Sequence, residues 1–165
     1  MQDIIQQVRA VNGADLYYVS LFSALALPDI CAALEAADGQ ASKAKYVAWF
    51  DTHVAPRYNG FLDGETSYYF RCSMLHQGST RHPRGRYSRV IFVEPGHSGM
   101  VLHNNVINDA LNIDVRIFCE DLCQAAEQWW QGAASEANVQ TNLARFVTRH
   151  PTGLAPYIGG VPVIG

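Results

Sequence analysis

Leu16, Val19, Phe22, Ala26, Ile30, Ala33 and Leu34 recur at steps of mostly three and four along residues 15–37. Such a repeat forms one apolar stripe only when the chain winds at about 3.6 residues per turn, so it predicts a long helix with these side chains on its buried face. Pro28 falls inside that stretch. A proline has no N–H to donate and crowds the preceding turn, which predicts a kink, or a break with Asp29 restarting the helix. The same periodicity recurs elsewhere. Ile4, Ile5, Val8 and Val11 mark a short first helix that Asn12-Gly13 ends. Tyr46, Val47, Phe50 and Val54 mark another over 43–54, with Ser42 as its N-cap and Pro56 as its stop. A fourth is expected from Glu65 to Gln77, with Tyr68, Tyr69, Cys72, Leu75 and His76 on one side and Gly78 as terminator. Val115, Phe118, Leu122, Ala126 and Trp129 give a helix over 115–132 that Asp114 caps. Ser135 opens a last one, to Arg149, with Val139, Leu143, Phe146 and Val147 inward.

Between the fourth and fifth principal helices the pattern changes. Val90-Ile91-Phe92-Val93 reads as a strand ended by Pro95-Gly96, and Met100-Val101-Leu102-His103 is expected to pair back on it. The expected fold is therefore mainly α: an up-and-down bundle of about five helices with a small β-hairpin insertion at 87–107. Residues 1–150 form the single domain. Residues 151–165, apolar and proline-containing, form an extended arm lying across a partner.

Only 16% of the 165 residues are charged and 48% are hydrophobic. So few charges leave apolar surface to be covered, which suggests a homodimer. No run of about 18 consecutive apolar residues occurs, so no membrane span is expected. Met1-Gln2-Asp3-Ile4-Ile5 lacks the basic start of a signal peptide. Cys31, Cys72, Cys119 and Cys123 are too few for a disulfide scaffold and read as reduced thiols of a cytoplasmic protein. The net charge of −3 gives no global attraction to nucleic acid. A dense basic cluster does occur at Arg81, Arg84, Arg86 and Arg89, and it is the candidate surface for an RNA backbone.

The chemistry-bearing stretch is Tyr69-Phe70-Arg71-Cys72-Ser73-Met74-Leu75-His76-Gln77-Gly78. Arginine clamps a phosphate with a planar fork of donors, and histidine moves protons near neutrality. This stretch resembles the arginine-x4-to-6-histidine motif of the HEPN superfamily of small helical domains. Many of that family are dimeric, metal-independent ribonucleases, and others lack catalysis. The resemblance covers about ten residues and their helical context. It implies that Arg71 holds the scissile phosphate and His76 transfers the proton of the attacking 2′-hydroxyl, with no cofactor. Five residues at about 100° each set Arg71 and His76 roughly 140° apart on one helix, so a shared phosphate would need two copies of the chain.

Two other chemistries use the same segment. Cys72 and His76 are four apart, as are Cys119 and Cys123, and two facing helices could offer three thiolates and an imidazole to zinc. Cys72 beside His76 would also be a nucleophile pair, if the thiol were exposed in an electropositive setting. The opposing reading is a non-catalytic helical module that binds a protein partner or a small ligand. In that case Arg71 pairs with a carboxylate and His76 finishes its own helix.

Overall fold

The computed structural model describes residues 1–96, 99 and 101–165. The fold is mainly α, as the periodicity predicts. Helices α1 (Gln2–Gly13), α2 (Tyr17–Glu35), α3 (Lys43–His53), α4 (Gly64–Gln77), α5 (Val115–Ala133) and α6 (Ala137–Leu143) carry it, with a 3₁₀ turn at Ala55–Tyr58. Capping follows the local sequence. The Ser42 hydroxyl accepts from the Lys45 N–H, the Asp63 carboxylate from Thr66 and the Asp114 carboxylate from Ile117. Gly78 closes α4 at φ 62°, a left-handed conformation that costs glycine little. At Gly64 the need is space: a Cβ there would lie 2.5 Å from the Val47 carbonyl oxygen, where α3 meets the start of α4.

The central element is α2, which packs on α1, α3, α5 and α6. It runs through Pro28 without a break, because Pro28 and its neighbours Leu25, Leu27 and Cys31 are fixed in the core. Its buried face matches the predicted one only towards its C-terminal end, at Leu34 and in part Ile30. Ser20, Leu21, Ala24, Leu25, Cys31 and Ala32 point inward, whereas Leu16, Val19 and Phe22 are exposed. The helix is apolar nearly all round, so its periodicity gave no direction. It is the one helix among the described residues long and apolar enough to cross a membrane, with a mean hydropathy of 1.5. Half of that window is buried in this protein's own core.

On α4 the face is likewise rotated. Thr66, Ser67, Phe70, Ser73 and Met74 are buried, while Tyr68, Tyr69, Cys72 and Leu75 are half-buried and His76 is exposed. On α5 the predicted stripe is the buried one, with Cys119 and Cys123 added to it. The last helix ends at Leu143, well short of Arg149. The Asn142 amide explains the position of α6: it donates to the Leu34 and Ala36 carbonyls at 2.9 and 2.8 Å and so closes the C-terminus of α2.

The insertion differs from the expected hairpin. Strands β1 (Arg89–Val93), β2 (Asn105–Ile107) and β3 (Ala110–Asp114) form a sheet ordered β1-β3-β2. β1 pairs with β3 in parallel, Val90 opposite Leu111 and Phe92 opposite Ile113. The hairpin is β2–β3, turned by Asn108-Asp109 with φ of 50° and 59°. Two consecutive positive φ values match the twist of the flanking strands, a geometry that Asn and Asp tolerate. Val101, Leu102 and His103 are not in a strand, and Met100 lies outside the described residues. All five residues of β3 are buried, so the strand shows no alternation.

The C-terminal segment is folded rather than extended. Short strands β4 (Arg149–His150), β5 (Gly153–Leu154), β6 (Ile158–Gly159) and β7 (Val163–Ile164) pair as β4–β7 and β5–β6.

Candidate functional site

Arg71 lies midway along α4 and reaches Asp29 on α2 through an Nη2–Oδ2 ion pair. The two side chains are only 19% and 16% exposed. Burial pushes the Asp29 carboxyl above its ordinary value against the pull of the Arg71 guanidinium, with a smaller pull from His76. Arg71 itself stays charged: burial opposes its charge most strongly, but the Asp29 carboxylate together with Cys72 and Tyr46 more than offsets it. Its Nη1 leans on the Cys72 sulfur at 3.8 Å, and its Nε is buried without a hydrogen-bond partner.

His76 stands exposed in the last turn of α4, a favourable place for a positive charge. Its ring makes no hydrogen bond among the described residues. The two motif residues therefore share a helix but differ in setting, Arg71 engaged by Asp29 and His76 open to solvent.

The basic cluster is also divided. The loop is pinned to the turn after α3, where Arg86 Nη1 donates to the Gly60 carbonyl at 2.6 Å and the Tyr87 hydroxyl to Phe61 at 2.7 Å. The His82 ring stacks on Tyr69 at 4.5 Å. Tyr69 and Arg71 are two residues apart, so at about 100° per residue they face nearly opposite sides of α4. The loop thus docks on the side away from Arg71. Arg81 and Arg84 are exposed there, and Arg89 joins β1 instead.

The zinc quartet does not assemble. Cys119 and Cys123 are buried on α5, whereas Cys72 sits beside Arg71 at the outer face of α4. Among the described residues, no group of three or more Cys, His, Asp or Glu side chains is placed to hold a metal. Burial pushes the Cys119 thiol up to about 11 and Cys123 to about 12, so neither offers a thiolate near neutrality. Cys31, also buried, is raised as well. Ellman's reagent at pH 8 will therefore titrate one thiol rapidly in the native protein, Cys72, and all four once guanidinium unfolds it. Rapid reaction of two or more native thiols would contradict this packing.

Asp29 was not legible in the sequence, being 42 residues from Arg71. Nor was a second polar cluster. The Tyr58 hydroxyl donates to Asp121 Oδ2 at 3.0 Å, Arg57 Nε lies 3.6 Å from Oδ1, and the His103 ring packs 5.4 Å from the Tyr58 ring. Burial pushes Asp121 up and His103 down.

Of several surface pockets, the one lined by the most apolar side chains lies elsewhere. A groove of about 400 Å³ runs between the exposed face of α2 and strand β1, walled by Tyr17, Tyr18, Phe22, Ile91 and Phe92, with Arg89 and Glu94 also lining it. Neither Arg71 nor His76 lines it. Compared with protein-family models, curated proteins and solved structures, the chain matches none.

Proposed function

We propose that this chain is a non-catalytic, HEPN-like helical module that acts by holding a protein partner on the apolar face of α2. The observation that carries the reading is the Arg71–Asp29 pair. A guanidinium already neutralised by a half-buried carboxylate is poorly placed to receive a phosphate, and the basic loop docks through Tyr69 on the side of α4 away from it. The reading retains the five longer helices as an up-and-down bundle, a homodimer and no required metal, as the resemblance implies.

The apolar groove supports the binding half of the proposal. Most of its lining is aromatic or aliphatic, with a single charge of each sign, the composition of a protein-docking site rather than of a phosphate channel.

The test is an RNA-cleavage assay in EDTA on several structured and unstructured RNAs, using protein shown to be folded. No cleavage above background is expected, whether from the native chain or from His76→Ala. Cleavage that leaves a 2′,3′-cyclic phosphate and disappears in His76→Ala would replace this reading with a metal-independent ribonuclease, Arg71 acting on the phosphate and His76 as general acid–base.

A further inference from the structure

Among the described residues, two apolar surfaces are left uncovered. The first is the groove between α2 and β1. Arg89, Val90, Ile91 and Phe92 all line it, although successive strand residues alternate between the two faces of a sheet. Four in a row can wall one groove only along the strand's edge. β1 is an edge strand, with β3 on its other side. Val90 turns its N–H outward, to the Thr80 carbonyl at 3.2 Å. Phe92, two residues on, turns its backbone the same way, and no hydrogen bond within the described residues meets it there. The facing wall is α2, where Tyr18 is 77% exposed.

The second surface is the C-terminal segment. Its strands pair with one another, and no residue beyond Phe146 belongs to the hydrophobic core or packs against it. Even so, Tyr157 is 83% exposed and Ile164 77%, alongside exposed Ile158 and Val161. Thr148 and Gly165 exchange two backbone hydrogen bonds, at 2.8 and 3.0 Å. In an antiparallel ladder the adjoining residue then points its own N–H and C=O the other way, so Ile164 presents free backbone groups away from β4.

Charge selects the occupant. Residues 151–165 contain no charged side chain, and the groove carries one cation and one anion. An uncharged apolar strand brings no further charge into the groove beyond Arg89 and Glu94.

We propose that the C-terminal strands of one copy dock on the β1 edge of a second copy at Phe92, beyond the Thr80 contact, with their apolar side chains against α2. The exchange is reciprocal and closes a two-fold dimer. This deepens the binding-module reading and rests on it. The cleavage assay tests catalysis and the experiment below tests occupancy, so each can fail alone.

The experiment compares full-length chains by light scattering after size exclusion at micromolar concentration. The native chain is expected to be a dimer. Phe22→Asp, which spoils the groove, and Ile164→Asp, which spoils the tail, should each be monomeric with unchanged far-ultraviolet circular dichroism. Tyr18→Asp is a second groove variant should Phe22→Asp misfold. Mixing the groove variant with the tail variant should restore a heterodimer, weaker than the native dimer, because one intact groove then meets one intact tail.

Three results would overturn the proposal: a monomeric native chain; an Ile164→Asp chain that stays dimeric while Phe22→Asp does not, which would mean α2 faces pack on each other; or a mixture no more associated than the Phe22→Asp/Ile164→Asp double variant.

Discussion

Arg71→Met alone will destabilise the fold by about 3 kcal/mol, whereas Asp29→Leu and Arg71→Met together will cost close to nothing. Removing one partner of a shielded ion pair strands the other, and the penalty is the desolvation of an uncompensated charge. Both side chains are less than one-fifth exposed, so solvent cannot fully make good the loss. Replacing both removes the two charges and leaves apolar groups of similar bulk. A double-mutant cycle from urea unfolding measures the coupling directly. The single substitution also carries a pH signature. Burial raises the Asp29 carboxyl in the folded protein, and in Arg71→Met only the smaller pull of His76 opposes that rise. A carboxyl with a raised folded value binds its proton more tightly folded than unfolded. Its neutral form is therefore fully accommodated below the unfolded pKa, and stability is lost as pH climbs through the folded value. The deficit of Arg71→Met, relative to native protein at the same pH, should be largest near pH 7 and shrink on acidification. A cost below about 0.5 kcal/mol at neutral pH would mean an ordinary surface contact and would return Arg71 to ligand duty.

That ion pair also marks how far the sequence could be read. Helix existence was legible, because α1 and α5 each combine a one-sided apolar stripe with local punctuation, Asn12-Gly13 and Asp114, and α3 is announced by the Ser42 cap. Helix orientation was not legible on α2 and α4. α2 is apolar on every side, and α4 buries Thr66, Ser67 and Ser73 while leaving Tyr68 and Tyr69 partly out. Nothing local reveals that Ser67 takes an inward place by bonding the Tyr46 hydroxyl at 2.9 Å. β3 was missed for a similar reason. Ala110-Leu111-Asn112-Ile113-Asp114 has no two-residue alternation because the sheet and helices cover both its faces, and its parallel partner β1 lies about twenty residues earlier. The hairpin turn itself, Asn108-Asp109, carries a local signal, because Asn and Asp tolerate the two positive φ values it needs. At the candidate site the sequence supplied Arg71 and His76 and the helix they share. It could not supply Asp29, whose approach is set by the packing of α2 against α4.

Phe118→Ala will be the most damaging single truncation in the core, at about 4 kcal/mol. Phe118 is fully buried on α5 and touches three aromatic rings from three other elements: Phe92 of β1 at 5.2 Å, Phe70 of α4 at 6.0 Å and Tyr58 of the 3₁₀ turn at 6.3 Å. Offset and edge-on pairs of this kind add to the stabilisation from area burial alone. Truncation to alanine removes all three contacts at once and leaves a cavity that four separate elements would have to move to fill. A domain of this size has about 5–15 kcal/mol in total, so the variant should be left marginal, with a midpoint lower by roughly 8–16 °C. Phe118→Leu keeps most of the volume and should cost only about 1–2 kcal/mol. Ile117→Ala, one residue away and 38% exposed, should cost less than about 1 kcal/mol. Guanidinium unfolding of the three variants gives the ranking. Near-ultraviolet circular dichroism shows whether the loss is of aromatic packing, since Phe92 packs on both Phe118 and Phe70. A Phe118→Ala cost no greater than that of Ile117→Ala would mean that the sheet and helices are not joined through this ring, and that β1 is held in place by its pairing with β3 alone.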